Sequence, residues 1–242
     1  MFFLLYSAIQ NSPALGALLK VVDHQDHVKD LKDYTQKHWI RKANQEREDL
    51  DENQKYKEKR AFIYYCFQKL GMMNAVMPQK THYDYVVIHG AMTKTMQARI
   101  DFFKRIRPHV RYKQIVFLSG KRMLDPVKEK NHLGLITEAE MAAYLMKKNG
   151  FKNVEVVNAV EFKGVRPNTQ DTIVTWLRSN PRPGTVLAIS NNPYIPRQDL
   201  TLKQLVKSKD FDIETVGPQT AFDIKGSVLF DELARLIYTE MQ

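Results

Sequence analysis

A chain of 242 residues, 43% hydrophobic and 26% charged, can bury the core of one large α/β domain plus an appendage, and its composition excludes disordered and fibrous classes. The single cysteine, Cys66, excludes an internal disulfide, and no apolar run reaches the roughly 18 to 20 residues that a spanning helix needs. A net charge of +10 raises the question of an anionic partner, which the placement of the charges must answer.

The opening "MFFLLYSAIQ" is apolar up to Ile9 but carries no basic n-region or small-residue cleavage site, which makes it a poor signal peptide. It is expected to pack on a helix; contact with a membrane surface and the stump of a trimmed anchor are the other readings. Residues 1–80 read as a helical extension. Two helices are expected between residues 27 and 71, one with a sparse apolar face of Val28, Leu31, Trp39 and Ile40, the other with Phe62, Ile63, Cys66, Phe67 and Leu70, closed by Gly71. Cys66 lies on that second stripe and is expected to be inert core. His24, His27 and His38 have no cysteine or carboxylate partner at ligand spacing, so no metal site is expected.

From residue 81 to 242 the texture changes to short β-rich runs at 83–89, 113–119, 154–158, 185–190 and 212–217. Periodic helical stretches alternate with them at 93–107, 137–149, 168–179, 196–208 and 227–240. Each connection is long enough for a crossover helix. The expected fold is therefore a three-layer, doubly wound α/β domain with a mainly parallel sheet of about five strands.

Ligands of such sheets gather at the carboxyl ends of the strands, which ranks the loops. The first strand exits through His89 and Gly90, with Arg99 two turns into the next helix. The second exits through Ser119 and Gly120 into a long loop that ends in Thr137 and Glu140, a capping box. The fourth exits through "SNNPYIPR", where Asn191 and Asn192 offer amide groups, Pro193 and Pro196 stiffen the turn, and Arg197 falls in the first turn of a helix. A cation there opposes the helix dipole unless an anion lies beside it, so Arg99 and Arg197 are expected to fix an anionic group, with Glu138 pairing one of them or a ligand hydroxyl. His89 is the best-placed titratable group. "HGAMTK" lacks the glycines of a dinucleotide fingerprint, no G-x-x-x-x-G-K-[ST] or G-x-S-x-G occurs, and no reaction can be assigned.

Residues 99–130 hold ten lysines and arginines against Asp101, Asp125 and Glu129, so much of the excess charge is local. A patch of that extent suits a compact anionic small molecule, and nucleic acid is not expected. The competing reading is a non-catalytic interaction module that docks a protein partner through residues 1–80.

Taken in order, "VIHGAMTKTMQAR" with Gly90 and Arg99, Ser119–Gly120, Glu138–Ala139, Glu161, Asn168–Thr169 and "ISNNPYIPR" with Arg197 resemble the motif string of the YdcF/SanA/ElyC-like bacterial proteins, over residues 83–217. The first turn has one glycine where that family commonly has two or three, and Asn192 or Tyr194 stands where a histidine is usual. While the basic patch points to a phosphorylated or nucleotide-like small molecule, the resemblance implies a Rossmann-like pocket of unknown reaction, S-adenosylmethionine as a ligand, and links to the bacterial envelope. Without it the expected location is the cytoplasm. The candidate ligand-binding set is His89, Gly90, Arg99, Ser119, Gly120, Glu138, Asn168, Thr169, Asn191, Asn192 and Arg197.

Overall fold

The computed structural model describes residues 9, 11–25, 28–42, 45–129, 133–160, 166–207 and 209–240. Of the apolar opening segment only Ile9, which is buried, is among them, and His27 and Glu161 also lie outside the described residues. The chain divides into two compact units. One comprises Val76–Asn191 and Gln198–Pro218; the other joins the residues up to Ala75 with Asn192–Arg197 and those from Gln219 onward.

The first unit carries an all-parallel, five-stranded sheet in the order β3-β2-β1-β4-β5: β1 His82–His89, β2 Arg111–Gly120, β3 Val154–Ala159, β4 Thr185–Ile189 and β5 Asp212–Val216. Helices α5 Thr93–Ile106, α6 Glu138–Lys148, α7 Thr169–Arg178 and α8 Ile195–Val206 connect successive strands. The inner strands read as continuous apolar runs because both faces of a parallel sheet are covered. Alternation along each strand then sorts the side chains. Val86, Ile88, Ile115, Phe117, Leu187 and Ile189 pack against Met96, Ile100 and Phe103 of α5 and Met141 and Leu145 of α6. Their neighbours Val87, Val116, Leu118, Val186 and Ala188 pack against Ile173 and Trp176 of α7 and Leu202 and Val206 of α8. The result is the three-layer α/β fold that the strand spacing predicts.

The other unit holds α1 Pro13–Asp23, α2 Leu31–His38, α3 Gln54–Glu58, α4 Arg60–Lys69 and α9 Gly226–Glu240, which carries the buried ring of Phe230. Tyr56 stacks on that ring at 4.5 Å, while Trp39 and Phe67 meet it edge-on at 4.8 and 5.5 Å. A Cβ on Gly226 would press on the Cβ of Tyr56, so glycine is what lets α9 begin this close to α3. The helical region therefore holds more elements than the two expected. Pro13 in the first turn of α1, behind the capping Ser12, is the start signal that the apolar-face reading passed over. Cys66 is buried as expected, and burial pushes its thiol pKa up.

Phe103 is fully buried and stacked on Phe151 at 5.2 Å. Phe103→Ala is expected to cost about 3–5 kcal/mol in urea unfolding, with little change in the denaturant slope. Tyr65→Ala, at a position 56% exposed, should stay within about 0.5 kcal/mol.

In the last turn of α9, burial raises the Glu240 pKa from 4.5 to about 7, and its Oε2 is buried with no hydrogen-bond partner among the described residues. A folded-state value above the unfolded one means that this stabilising contribution is fully present below pH 4.5 and is lost as pH rises through about 7. Glu240→Gln should flatten that part of the stability profile, read from melting temperatures on either side of the window.

Candidate functional site

Strand order reverses between β1 and β4, so the crevice of this fold opens beside the carboxyl ends of those strands. The exit of β1 is held by Arg99 on α5. Its guanidinium is 2% exposed, and Nη1 donates to the carbonyl oxygens of His89 at 2.7 Å and Gly90 at 2.8 Å, while Nε donates to Asn191 Oδ1 at 2.9 Å beyond β4. The group expected to fix an anion instead ties the two strand exits together. His89 is buried and contributes its backbone to this clamp.

Gly90 donates from its backbone N to Leu118 O at 2.6 Å, and a Cβ there would collide with Glu138 Oε1 and Leu118 O. The glycine answers a need for space, since its backbone is not in the left-handed region. Glu138 opens α6 behind the Thr137–Glu140 capping box, which forms as expected. Its partner is neither Arg99 nor Arg197. Arg122 Nε donates to Glu138 Oε2 at 2.7 Å, while Nη1 and Nη2 of the same guanidinium grip Glu129 at 2.6 and 3.0 Å. Glu129 in turn accepts from the backbone N of Thr93 at 2.8 Å, from Thr93 Oγ1 at 3.0 Å and from the backbone N of Asp125 at 3.0 Å.

Two buried carboxylates thus share one arginine on unequal terms. Burial raises the Glu138 pKa, and the attraction of Arg122 and Arg166 does not overcome it. Burial also opposes the charge on Glu129, but there the Arg122 hydrogen bonds and the Thr93 backbone N–H win, and its pKa falls. Arg122 is held firmly charged, its own desolvation outweighed by both carboxylates. Burial therefore shifts Glu138 toward its neutral form and the donors around Glu129 shift that group toward its charged form.

The remaining candidates have structural roles. Ser119 is fully buried and donates from Oγ to Val157 O at 2.6 Å. A Cβ on Gly120 would press against Pro167 and Ala159 O, a second close approach of backbones at this end of the sheet. Asn168 is the N-cap of α7, accepting from the backbone N of Gln170 and Asp171 at 2.7 and 3.2 Å, and Thr169 is the first residue of that helix.

Asn192 and Arg197 belong to the helical unit. Asn192 is buried and donates from Nδ2 to Asn74 O at 2.5 Å, and the bend behind it is a cis peptide to Pro193, with no left-handed residue at Asn191 or Asn192. Arg197 Nε donates to Glu232 Oε1 at 2.6 Å. Glu232 and its neighbour Asp231 are completely buried on α9 and are ringed by Arg41, Arg47, Arg197 and Arg235. Burial works against the charge on Asp231, but Arg235, the Arg41 backbone N–H and the Arg41 charge outweigh it and lower its pKa. The cation that the sequence assigns to a ligand neutralises a buried carboxylate, and Arg47 over the Tyr194 ring at 4.4 Å closes the same cluster. The acidic pair inside the apolar run "VLFDELARLI" was the sequence signal for it.

Among the described residues no cluster of three or more histidine, cysteine or carboxylate side chains could hold a metal ion, and no helix is long and apolar enough to cross a membrane. No family model matches the chain, and no curated protein matches it. Among solved structures it is similar to a universal stress protein in complex with cAMP, at 12% identity and a TM-score of 0.29, over 55% of this chain and 97% of that one. The sheet order and the covered faces define the class: a parallel, doubly wound α/β unit accompanied by a helical unit.

Because Arg197 neutralises Glu232, Arg197→Ala is expected to lower stability by about 1.5–3 kcal/mol in chemical denaturation, the worth of a hydrogen bond to a charged group. Arg197→Lys should recover part of that loss.

Proposed function

We propose that the α/β unit binds a small phosphorylated or nucleotide-like molecule at the carboxyl end of its sheet, above Gly90, Gly120 and Glu138. One observation carries the reading: Glu138, 8% exposed and with its pKa raised by burial, stands where the β1 and β2 exits converge, with Oε1 in the space that Gly90 leaves open. Burial favours the neutral form of this carboxyl group, the form that can donate a hydrogen bond to a ligand oxygen, and perturbed groups at strand ends are the usual mark of a site. The N-termini of α5, α6 and α7 are already occupied by Glu129, Thr137 and Asn168, so the charge of the ligand is met by side chains. The exposed Lys121, next to Gly120, and Arg166, whose field acts on Glu138, supply it. The ordered motifs through Gly90, Arg99, Ser119–Gly120, Glu138–Ala139 and Asn168–Thr169 support placing this unit near the YdcF/SanA/ElyC-like proteins, with S-adenosylmethionine among the ligands to try.

A thermal-shift screen with nucleotides, S-adenosylmethionine and sugar phosphates is the test, since a ligand at 100 times its dissociation constant adds about 2.7 kcal/mol. For the ligand that shifts, Glu138→Gln should keep affinity because the amide still donates, while Glu138→Ala should lose about tenfold or more. Wild-type affinity should fall as pH rises through the Glu138 titration and that of Glu138→Gln should not. A screen without any shift, or a pH dependence that survives in Glu138→Gln, would sink the proposal.

A further inference from the structure

The basic run at residues 99–130 does not form one patch. Arg99 and Arg122 are buried and bonded within the protein, whereas Lys104, Arg105, Arg107, Arg111 and Lys113 are exposed. The end of α6 and the turn after it add exposed Lys147, Lys148 and Lys152 from outside the run. Lys104 Nζ donates to Asn149 Oδ1 at 3.2 Å, which brings the C-terminal turns of α5 and α6 together. Lysine and arginine in the last turn of a helix are accounted for by its dipole, which explains Lys104, Arg105, Lys147 and Lys148. Arg107 is the C-cap of α5, and Arg111, Lys113 and Lys152 lie beyond both helices, where the dipoles do not explain them.

Three of those four line a cavity of about 270 Å³ at the amino ends of β2 and β3, together with Tyr112, Phe151 and Asn153. Its floor is closely packed: Phe151 is buried and stacked on Phe103, Tyr112 lies 5.4 Å from that same ring, and Arg107 sits over Phe151 at 5.3 Å. Lys113 is tethered to Asp84 at 2.7 Å, while Arg107 and Lys152 flank the opening. The volume is below that of a drug-sized pocket and suits one repeating unit of a chain better than a whole ligand. Tyr112, half-buried on the lining, presents a ring on which a base can stack.

We propose that this groove binds the phosphodiester backbone of a single-stranded nucleic acid, one nucleotide seated against Tyr112 and neighbouring phosphates held by Arg107, Arg111 and Lys152. An anionic membrane fits less well, because the surface is concave and none of the exposed large apolar side chains among the described residues lies on it. The expectation of a compact anion counted Arg99 and Arg122 among the available charges; both are buried and bonded within the protein, which leaves the exposed cations of this lining and of the helix ends beside it. The groove lies at the other end of the sheet from Glu138, about 23 Å along β2 at ~3.3 Å per residue, so it stands apart from the proposed small-molecule site.

The experiment is fluorescence polarisation of the full chain with a labelled oligouridylate of about 20 nucleotides across about 50 to 200 mM salt. Binding should weaken with salt, and Arg107→Gln/Lys152→Gln should bind at least about tenfold more weakly with a log–log salt slope shallower by about 1.4, two phosphate contacts at ~0.7 each. Tyr112→Ala should lower affinity with the slope unchanged, Tyr112→Phe should restore it, and Glu138→Ala should bind the oligonucleotide as wild type does. An unchanged slope in the double variant would overturn the proposal. So would a loss in Glu138→Ala equal to that in the double variant, or binding of phosphatidylserine vesicles, abolished in the double variant, by a protein that ignores the oligonucleotide.

Discussion

The carboxyl end of the sheet depends on where the Arg99 guanidinium lies. A buried arginine cannot shed its proton and must find acceptors, and here it finds the backbone carbonyls of His89 and Gly90 where β1 ends. Strand ends are places where backbone acceptors lose their ladder partners. One planar cation that reaches His89 O, Gly90 O and Asn191 Oδ1 satisfies several at once and fixes the spacing of the two exits. With the exits fixed, Gly90 can lie close enough to Leu118 and Glu138 for the absence of its side chain to matter.

Carboxylates in both units are handled by a related economy: Arg122 in one and Arg41, Arg47, Arg197 and Arg235 in the other are matched to buried carboxylates that could not be buried without them. Burial of ions is costly, and removing one partner of such a set is worse than never having placed it. In the α/β unit the arrangement is asymmetric, since Glu129 gathers donors from Arg122, Thr93 and Asp125 while Glu138 has its contact with Arg122. That inequality moves the pKa values of two chemically identical groups in opposite directions. In the helical unit Asp231 and Glu232 are held by several arginines, and the cluster serves packing.

The sheet was legible because its signal is redundant: each strand is a short apolar run, and both faces of each inner strand are covered, so the runs at 83–89 and 113–119 stand out from the helices around them. The loops were legible by position, and Gly90 and Glu138 do meet. What could not be read was the direction of each arginine. Arg122 looked like one more cation in a basic run, although two residues after a strand-ending glycine it is well placed to turn inward, and nothing in the local pattern names Glu129 and Glu138 as its partners. Arg197 was misjudged by the same route. A cation in the first turn of a helix does call for an anion, and the anion was a carboxylate 35 positions further along the chain, beyond the reach of any local rule. The division of the chain was hidden for the same reason, since the partner of the N-terminal helices is the last helix.

The helical unit is built from both ends of the sequence, and Phe230 on α9 is the ring against which Trp39, Tyr56 and Phe67 pack. A ribosome delivers these pieces in the wrong order for early assembly. Helices α1 to α4 emerge first with their apolar stripes uncovered, the whole sheet follows, and only then does the segment arrive that gives those stripes a core. Until it does, Arg41 and Arg47 have no Asp231 or Glu232 to neutralise, and the same charges that later pair with buried carboxylates keep the waiting segment hydrated. The α/β unit, whose strands and helices follow one another directly, can close while its companion is still incomplete.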